Sequence, residues 1–272
     1  MKKFIIVLLF IFAISICAFS QINESVAGAR AGGMADASVT LQDTWSVFNN
    51  PAGLTGMESS NIGVFYENRF GLKETGYGAM AFATPLGAGS LGLGITHFGY
   101  SLFQTSNLGL AYAQQLFGSF SMGVKINYLS ILQSDYYDNL NAFTFDIGIL
   151  SKPTDEFSIA FHVFNPLNLS YTTDINEKLP VIYKLGFSYL FSSNLLIAIE
   201  TGKATNGEIP IFKAGLEYII NEEFVLRTGF STHPVEYSFG AGYIMSHFRF
   251  DIAYAYHQIL GSIPKVSLNY AF

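Results

Sequence analysis

Charge is scarce in this chain: of 272 residues, 14 are Lys or Arg and 20 are Asp or Glu, together 12%, about half the share of a soluble domain. The formal charge is −6, becoming about −8 if Lys2 and Lys3 are removed with an N-terminal signal. With no basic patch, nucleic-acid binding is disfavoured. Cysteine is nearly absent. The single Cys17 falls in the expected signal, so the mature chain has no disulfide framework, thiolate zinc site or thiol nucleophile. Ile16 stands where lipid attachment to Cys17 needs a small residue. The five histidines are scattered and make no H-E-x-x-H or similar spacing. Long apolar runs are missing too: beyond the N-terminus the nearest candidate, Leu185 to Ile199, is interrupted by Ser192-Ser193-Asn194. No helix of membrane-spanning length is expected.

The composition is nevertheless that of a membrane protein. Half the residues are apolar and 16% aromatic, and the mean hydropathy is +0.33. Residues 1–20 read as a secretory signal: Lys2 and Lys3, the apolar run Phe4 to Ile16, and Ala18-Phe19-Ser20 before Gln21. Without membrane helices, the structure that satisfies every backbone group in lipid is a closed barrel. The last residues have the required pattern. Val266, Leu268, Tyr270 and Phe272 alternate with Lys265, Ser267, Asn269 and Ala271, as expected for one face toward lipid and one toward a polar lumen.

The same alternation recurs from Asn61 onward. Phe120, Met122, Val124, Ile126 and Tyr128 alternate with Ser121, Gly123, Lys125 and Asn127; Phe248, Phe250, Ile252, Tyr254 and Tyr256 alternate with Arg249, Asp251 and Ala253. Charges fall on the non-lipid face each time. A Lys or Arg at the bilayer midplane would cost about 2–4 kcal/mol. Counting such segments predicts an all-β transmembrane antiparallel β-barrel of about 14 strands over residues 59–272, with twelve as the runner-up count. A soluble sandwich would need charges on its outward face. Tight turns (Gly87-Ala88, Gly118, Ser192-Ser193, Asn221-Glu222, Ser246) alternate with longer connections, the expected asymmetry of periplasmic turns and outside loops.

Residues 21–58 break the pattern. They contain Gly28-Ala29-Arg30-Ala31-Gly32-Gly33-Met34-Ala35-Asp36-Ala37, then Asp43, then Phe48-Asn49-Asn50-Pro51-Ala52-Gly53-Leu54. This stretch resembles the start of the FadL-like outer-membrane barrels and their PorV/PorQ relatives, and the resemblance covers about thirty residues. It implies an N-terminal plug inside the lumen, a multi-pass location in the bacterial outer membrane, and a monomeric barrel without enzymatic activity. The many Gly and Ala residues allow close approach to surrounding walls, and Asn50, Pro51 and Gly53 read as the turn from plug to wall.

The candidate ligand-lining residues are Met34, Phe48, Phe65, Phe98 and Phe164, with plug packing as their alternative role. The resemblance implies sideways release beside a kinked strand, and Gly92 and Gly94, on the third strand, are the candidates for that kink, since glycine weakens a strand locally. The charged lumen residues Glu67, Arg69, Lys125, Asp146, Lys184, Glu200, Lys213, Glu217, Arg227, Arg249, Asp251 and Lys265 read as a salt-bridged network holding the plug, or as a polar path. No cofactor, metal or catalytic residue is expected. Beyond membrane lipid, the partners implied by the resemblance are small hydrophobic molecules for passive transport. The alternative is a non-transporting component or attachment partner of type IX protein secretion.

Overall fold

Alternation of apolar and small polar residues gives extended strands whose two faces meet different solvents. In the computed structural model, which describes residues 26–134, 139–171, 178–207 and 209–272, those strands close into one barrel. The signal expected at residues 1–20 lies outside the described residues. The strands are β1 Asn61–Asn68, β2 Gly76–Leu86, β3 Gly89–Tyr100, β4 Phe103–Phe117, β5 Phe120–Gln133, β6 Leu140–Ser151 and β7 Phe157–Phe164. They continue as β8 Ile182–Ser192, β9 Leu195–Ala204, β10 Ile211–Ile219, β11 Phe224–Ser231, β12 Glu236–Met245, β13 Phe248–His257 and β14 Gly261–Ala271.

Each strand pairs antiparallel with its sequence neighbours, and β1 pairs with β14 to close the sheet. The closing register runs from Asn61↔Ala271 to Glu67↔Lys265. Closure leaves no sheet edge along these ladders, which lipid requires. Fourteen strands is therefore the observed count. Gly87 (φ 61°), Gly118 (φ 49°) and Ser246 (φ 52°) occupy left-handed conformations in the tight turns.

The two faces separate as the pattern requires. Val64, Ile126, Phe143, Phe212, Phe239, Tyr254 and Leu268 are exposed on the outside, while Lys125, Asp146, Glu200, Arg227 and Asp251 are buried inside. Such exposure of large apolar side chains on a soluble domain would mark an interaction surface; on a barrel it is the lipid contact.

One ladder is much shorter than its strands. β6 pairs with β5 along its length, up to Ile131↔Leu140. Its pairing with β7 ends at Asp146↔Phe164. The amide of Asn165 adds one bond to the Phe145 carbonyl (3.0 Å), after which β7 has ended. The sequence pattern predicts an eighth strand from residue 179, but β8 begins at Ile182. Leu179 instead packs with Ile131, Leu140, Ala142 and Tyr171, and its carbonyl accepts from the Asn165 side chain at 3.1 Å.

Candidate functional site

The lumen is occupied by the chain's own N-terminal segment. Its small residues form a short helix α1 (Ala29–Gly33), a second short helix α2 (Ser46–Asn49) and a 3₁₀ turn at Pro51–Gly56. Neither helix is long enough to be stable alone; packing holds them. Gly28 has φ 99°, and a Cβ there would sit 2.6 Å from the Trp45 ring. Ala27 and Asn49 exchange two hydrogen bonds at 3.0 and 3.2 Å, which ties the start of the plug to α2.

The Asn50-Pro51-Ala52-Gly53 turn is built by its own side chains. The Asn50 side-chain oxygen accepts from the Ala52 amide (3.2 Å), and its NH₂ donates to the carbonyls of Val39 (2.8 Å) and Ile149 (3.3 Å). One buried side chain thus joins plug to plug and plug to wall. Pro51 starts the 3₁₀ turn, where a missing N–H costs nothing. A Cβ on Gly53 would lie 2.5 Å from the Leu41 carbonyl oxygen.

The wall is thinned where the plug touches it. A Cβ on Gly94 would lie 2.5 Å from the Phe48 ring, one on Gly92 2.8 Å from Leu54, and one on Gly215 2.5 Å from Met34. Gly92 and Gly94 therefore admit the plug rather than interrupt the wall. The ladders beside them are continuous, with Gly92↔Ala83 and Gly94↔Ala81 toward β2 and Gly92↔Ala111 and Gly94↔Gly109 toward β4. At the candidate weak point of Gly92 and Gly94 the small side chains serve lumen packing, and the ladders on both sides are continuous.

Of the five candidate lining residues, Phe48, Phe65 and Phe98 come together in one apolar cluster with Trp45 and Tyr77. Trp45 and Phe65 meet edge to face with centroids 5.9 Å apart. Met34 lies in a second cluster with Ala31, Ala37, Leu41 and Ala198. Phe164 is buried at the end of β7, where the ladder with β6 stops. These five side chains therefore do not line a single space. The sequence pattern gave no role to Trp45, the largest fully buried side chain; its being the only tryptophan was the available signal.

Charge fastens the plug. Arg30 of α1 meets Glu217 (2.6 Å) and Asp43 (3.2 Å), and Glu217 and Asp251 also hold Arg227 at 2.7 and 2.8 Å. Glu200 accepts from the amides of Ser38 (2.8 Å) and Val39 (2.9 Å) and pairs with Lys213 (3.1 Å). Ser238 donates to the Gly33 carbonyl (3.0 Å) and accepts from the Ala35 amide (2.8 Å). On the opposite wall Lys125 pairs with Asp146 at 2.7 Å, with His162 3.6 Å from the same carboxylate oxygen. Burial opposes ionisation of Asp36, yet Lys265 and Lys213 outweigh it and hold the carboxyl below the usual range. A mixed-sign lumen is stable only when its charges are paired in this way. Space remains beside the plug, a cavity of about 300 Å³ bordered by Asp36, Glu67, Arg69 and Lys265 and by the apolar Phe70, Ile182, Ile211 and Ile263 among others.

This architecture has solved counterparts. A crystal structure of the Ralstonia pickettii toluene transporter TbuX superposes with a TM-score of 0.73 at 12% identity, covering 92% of this chain and 99% of that one. The fold is shared. A Pseudomonas aeruginosa FadL homologue gives 0.66 at 14% identity over 91% and 99%. The Pseudomonas putida toluene transporter TodX gives 0.67 at 10% over 89% and 96%. No family model matches the sequence and no curated protein matches it. The shared fold covers nearly the full length of both chains in each pair, so it includes the barrel as a whole and not a local motif.

Proposed function

We propose that the chain is a monomeric outer-membrane channel for passive entry of small hydrophobic compounds, with residues 21–58 as the plug and 59–272 as the barrel. The observation that carries this reading is the near full-length likeness to TbuX, a toluene transporter, combined with a lumen filled by the chain's own N-terminal segment. A plug made of short helices and held by ion pairs suits a pathway that is closed at rest and opened by local rearrangement. It does not suit a general porin, which needs standing water from end to end. The cavity beside the plug, lined by charged residues and by Phe70, Ile182, Ile209, Ile211 and Ile263, serves as the entry site.

The test uses cells expressing the full chain and N-phenyl-1-naphthylamine, a hydrophobic probe that fluoresces on reaching lipid. Faster probe entry than in vector-only cells, without ion conductance in planar bilayers, supports the reading. Probe entry equal to the vector control counts against it. If, in addition, a secretion-system protein co-purified in mild detergent, the attachment role would take its place.

A further inference from the structure

We infer that His257 is a pH-sensitive fastener at the long-loop rim of the barrel: its neutral ring holds the β13–β14 loop, and its protonated ring releases that loop and pairs with Glu236. The loop is residues 258–260, between β13 and β14. The main-chain amides of Ile259 and Leu260 both donate to Nδ1 of His257, at 3.1 Å each. An imidazole nitrogen accepts only while it carries no proton, so this arrangement holds the ring neutral with its proton on Nε2. A proton on Nδ1 sets three N–H groups against one another, and both bonds are lost together. Histidine is the side chain that ordinarily changes charge between about pH 5 and 8.

Other contacts hold the base of the loop and not its tip. The Gln258 amide reaches the Val235 carbonyl at 3.4 Å, and the ladder resumes at His257↔Gly261. The side chains of Ile259 and Leu260 are 84% and 55% exposed and add little packing, so the ring is what fastens the tip. Phe70 meets the same ring edge to face, with centroids 5.8 Å apart, while its own amide is held by the Ser262 carbonyl at 2.9 Å.

The charged ring has a carboxylate within its reach. Glu236 of β12 stands directly opposite His257, and directly opposed residues share a face; both border the cavity beside the plug, as does Phe70. The other charged groups around this part of the cavity are already paired: Glu67 with Arg69 and Lys265, and Lys265 with Asp36. Glu236 makes no ion pair among the described residues. Of the remaining titratable groups on the neighbouring loops, Lys73 and Glu74 are exposed and His233 precedes β12. Protonation thus exchanges two amide bonds to the loop for one ion pair across β12 and β13. The switch is independent of what the barrel carries.

Spin labelling reads the tip. The full chain has one cysteine, Cys17, so Ile259→Cys in a Cys17→Ala background takes a single nitroxide on an exposed side chain. The purified full chain in detergent is expected to give a constrained line shape at pH 8 and a mobile one at pH 5, reversibly. His257→Asn keeps an acceptor near the Nδ1 position and does not titrate, so the label should stay constrained at both. His257→Ala should be mobile at both. Glu236→Gln removes the partner of the charged ring and should move the transition down by about one pH unit. A line shape unchanged between pH 8 and 5 overturns the switch, as does a transition that persists in His257→Asn or fails to reverse. An unmoved midpoint in Glu236→Gln overturns the pairing with Glu236.

Discussion

The ammonium of Lys265, on the strand that closes the barrel, lies 3.0 Å from the carboxylate of Asp36 in the plug. It also lies 3.2 Å from Glu67 on β1. One side chain thus joins the last strand, the first strand and the plug, with Glu67 buried and Asp36 half-buried.

Removing that cation takes from Asp36 and Glu67 the partner they share, leaving Glu67 with Arg69 and Asp36 with the more distant Lys213. Lys265→Met is expected to destabilise the folded barrel, by less than the roughly 3–5 kcal/mol that orphaning a fully buried charge costs. Heat-dependent mobility on a gel reads the change, and an unaltered transition would mean the pair is fully solvated. The paired change Lys265→Met with Asp36→Asn should recover part of the loss.

Acid should release the plug through the same pair. The Asp36 carboxyl is held below its ordinary value by Lys265 and Lys213 against the opposing effect of burial. A depressed carboxyl contributes stability that is complete above its unfolded pKa of about 3.9 and disappears as pH falls through the lower folded value. Trp45, the chain's one tryptophan, is 1% exposed in the plug. Its emission is expected to hold steady from neutral pH to about 5 and to shift red below about 4. In Asp36→Asn the part of that shift due to Asp36 should be missing.

Gly94→Val places a side chain where Phe48 already stands, with the first added carbon 2.5 Å from the ring. Overpacking of this kind costs about 1–3 kcal/mol. Adding Phe48→Ala should restore much of the stability, a compensation that a weak point in the wall would not produce. The double-mutant cycle gives the coupling directly.

Asn50→Ala removes the bonds to the Val39 and Ile149 carbonyls. The buried Val39 carbonyl then loses its donor, a loss that costs about 1–3 kcal/mol, and the part-buried Ile149 carbonyl loses a second one. The expected sign of plug loosening is faster proteolysis within residues 26–58 while the barrel remains resistant. Cleavage unchanged from the parent chain would assign Asn50 no holding role.

The faces of β5 differ sharply in tolerance. Ile126 is 60% exposed toward lipid, and Ile126→Arg is expected to lower stability in bilayers by about 2–4 kcal/mol if it lies near the midplane. The neighbouring Lys125 is buried beside Asp146 and carries its charge at no such penalty. Refolding titrations into lipid vesicles compare the two positions.

The strand bounds show how far local pattern reaches. Alternation predicts β13 and the lumen positions of Arg249 and Asp251 because a pleat has period two and lipid tolerates no charge. It also places Lys125, Asp146 and Glu200 inside without any knowledge of their partners. It could not say that Gly92 and Gly94 make room for Leu54 and Phe48, since glycine in a strand signals close approach as readily as a break. Nor could it separate Met34 from Phe48, which share the plug but face different walls.

By itself the sequence determined the barrel, the outward and inward faces and a non-alternating N-terminal stretch, and it favoured fourteen strands over twelve. Each follows from local periodicity imposed by two immiscible surroundings. Only the tertiary structure decided which charges pair, where the plug presses on the wall and where the β6–β7 ladder stops. Those features depend on register and on contacts between residues far apart in sequence, such as Asp36 and Lys265. A short-range pattern carries no record of either.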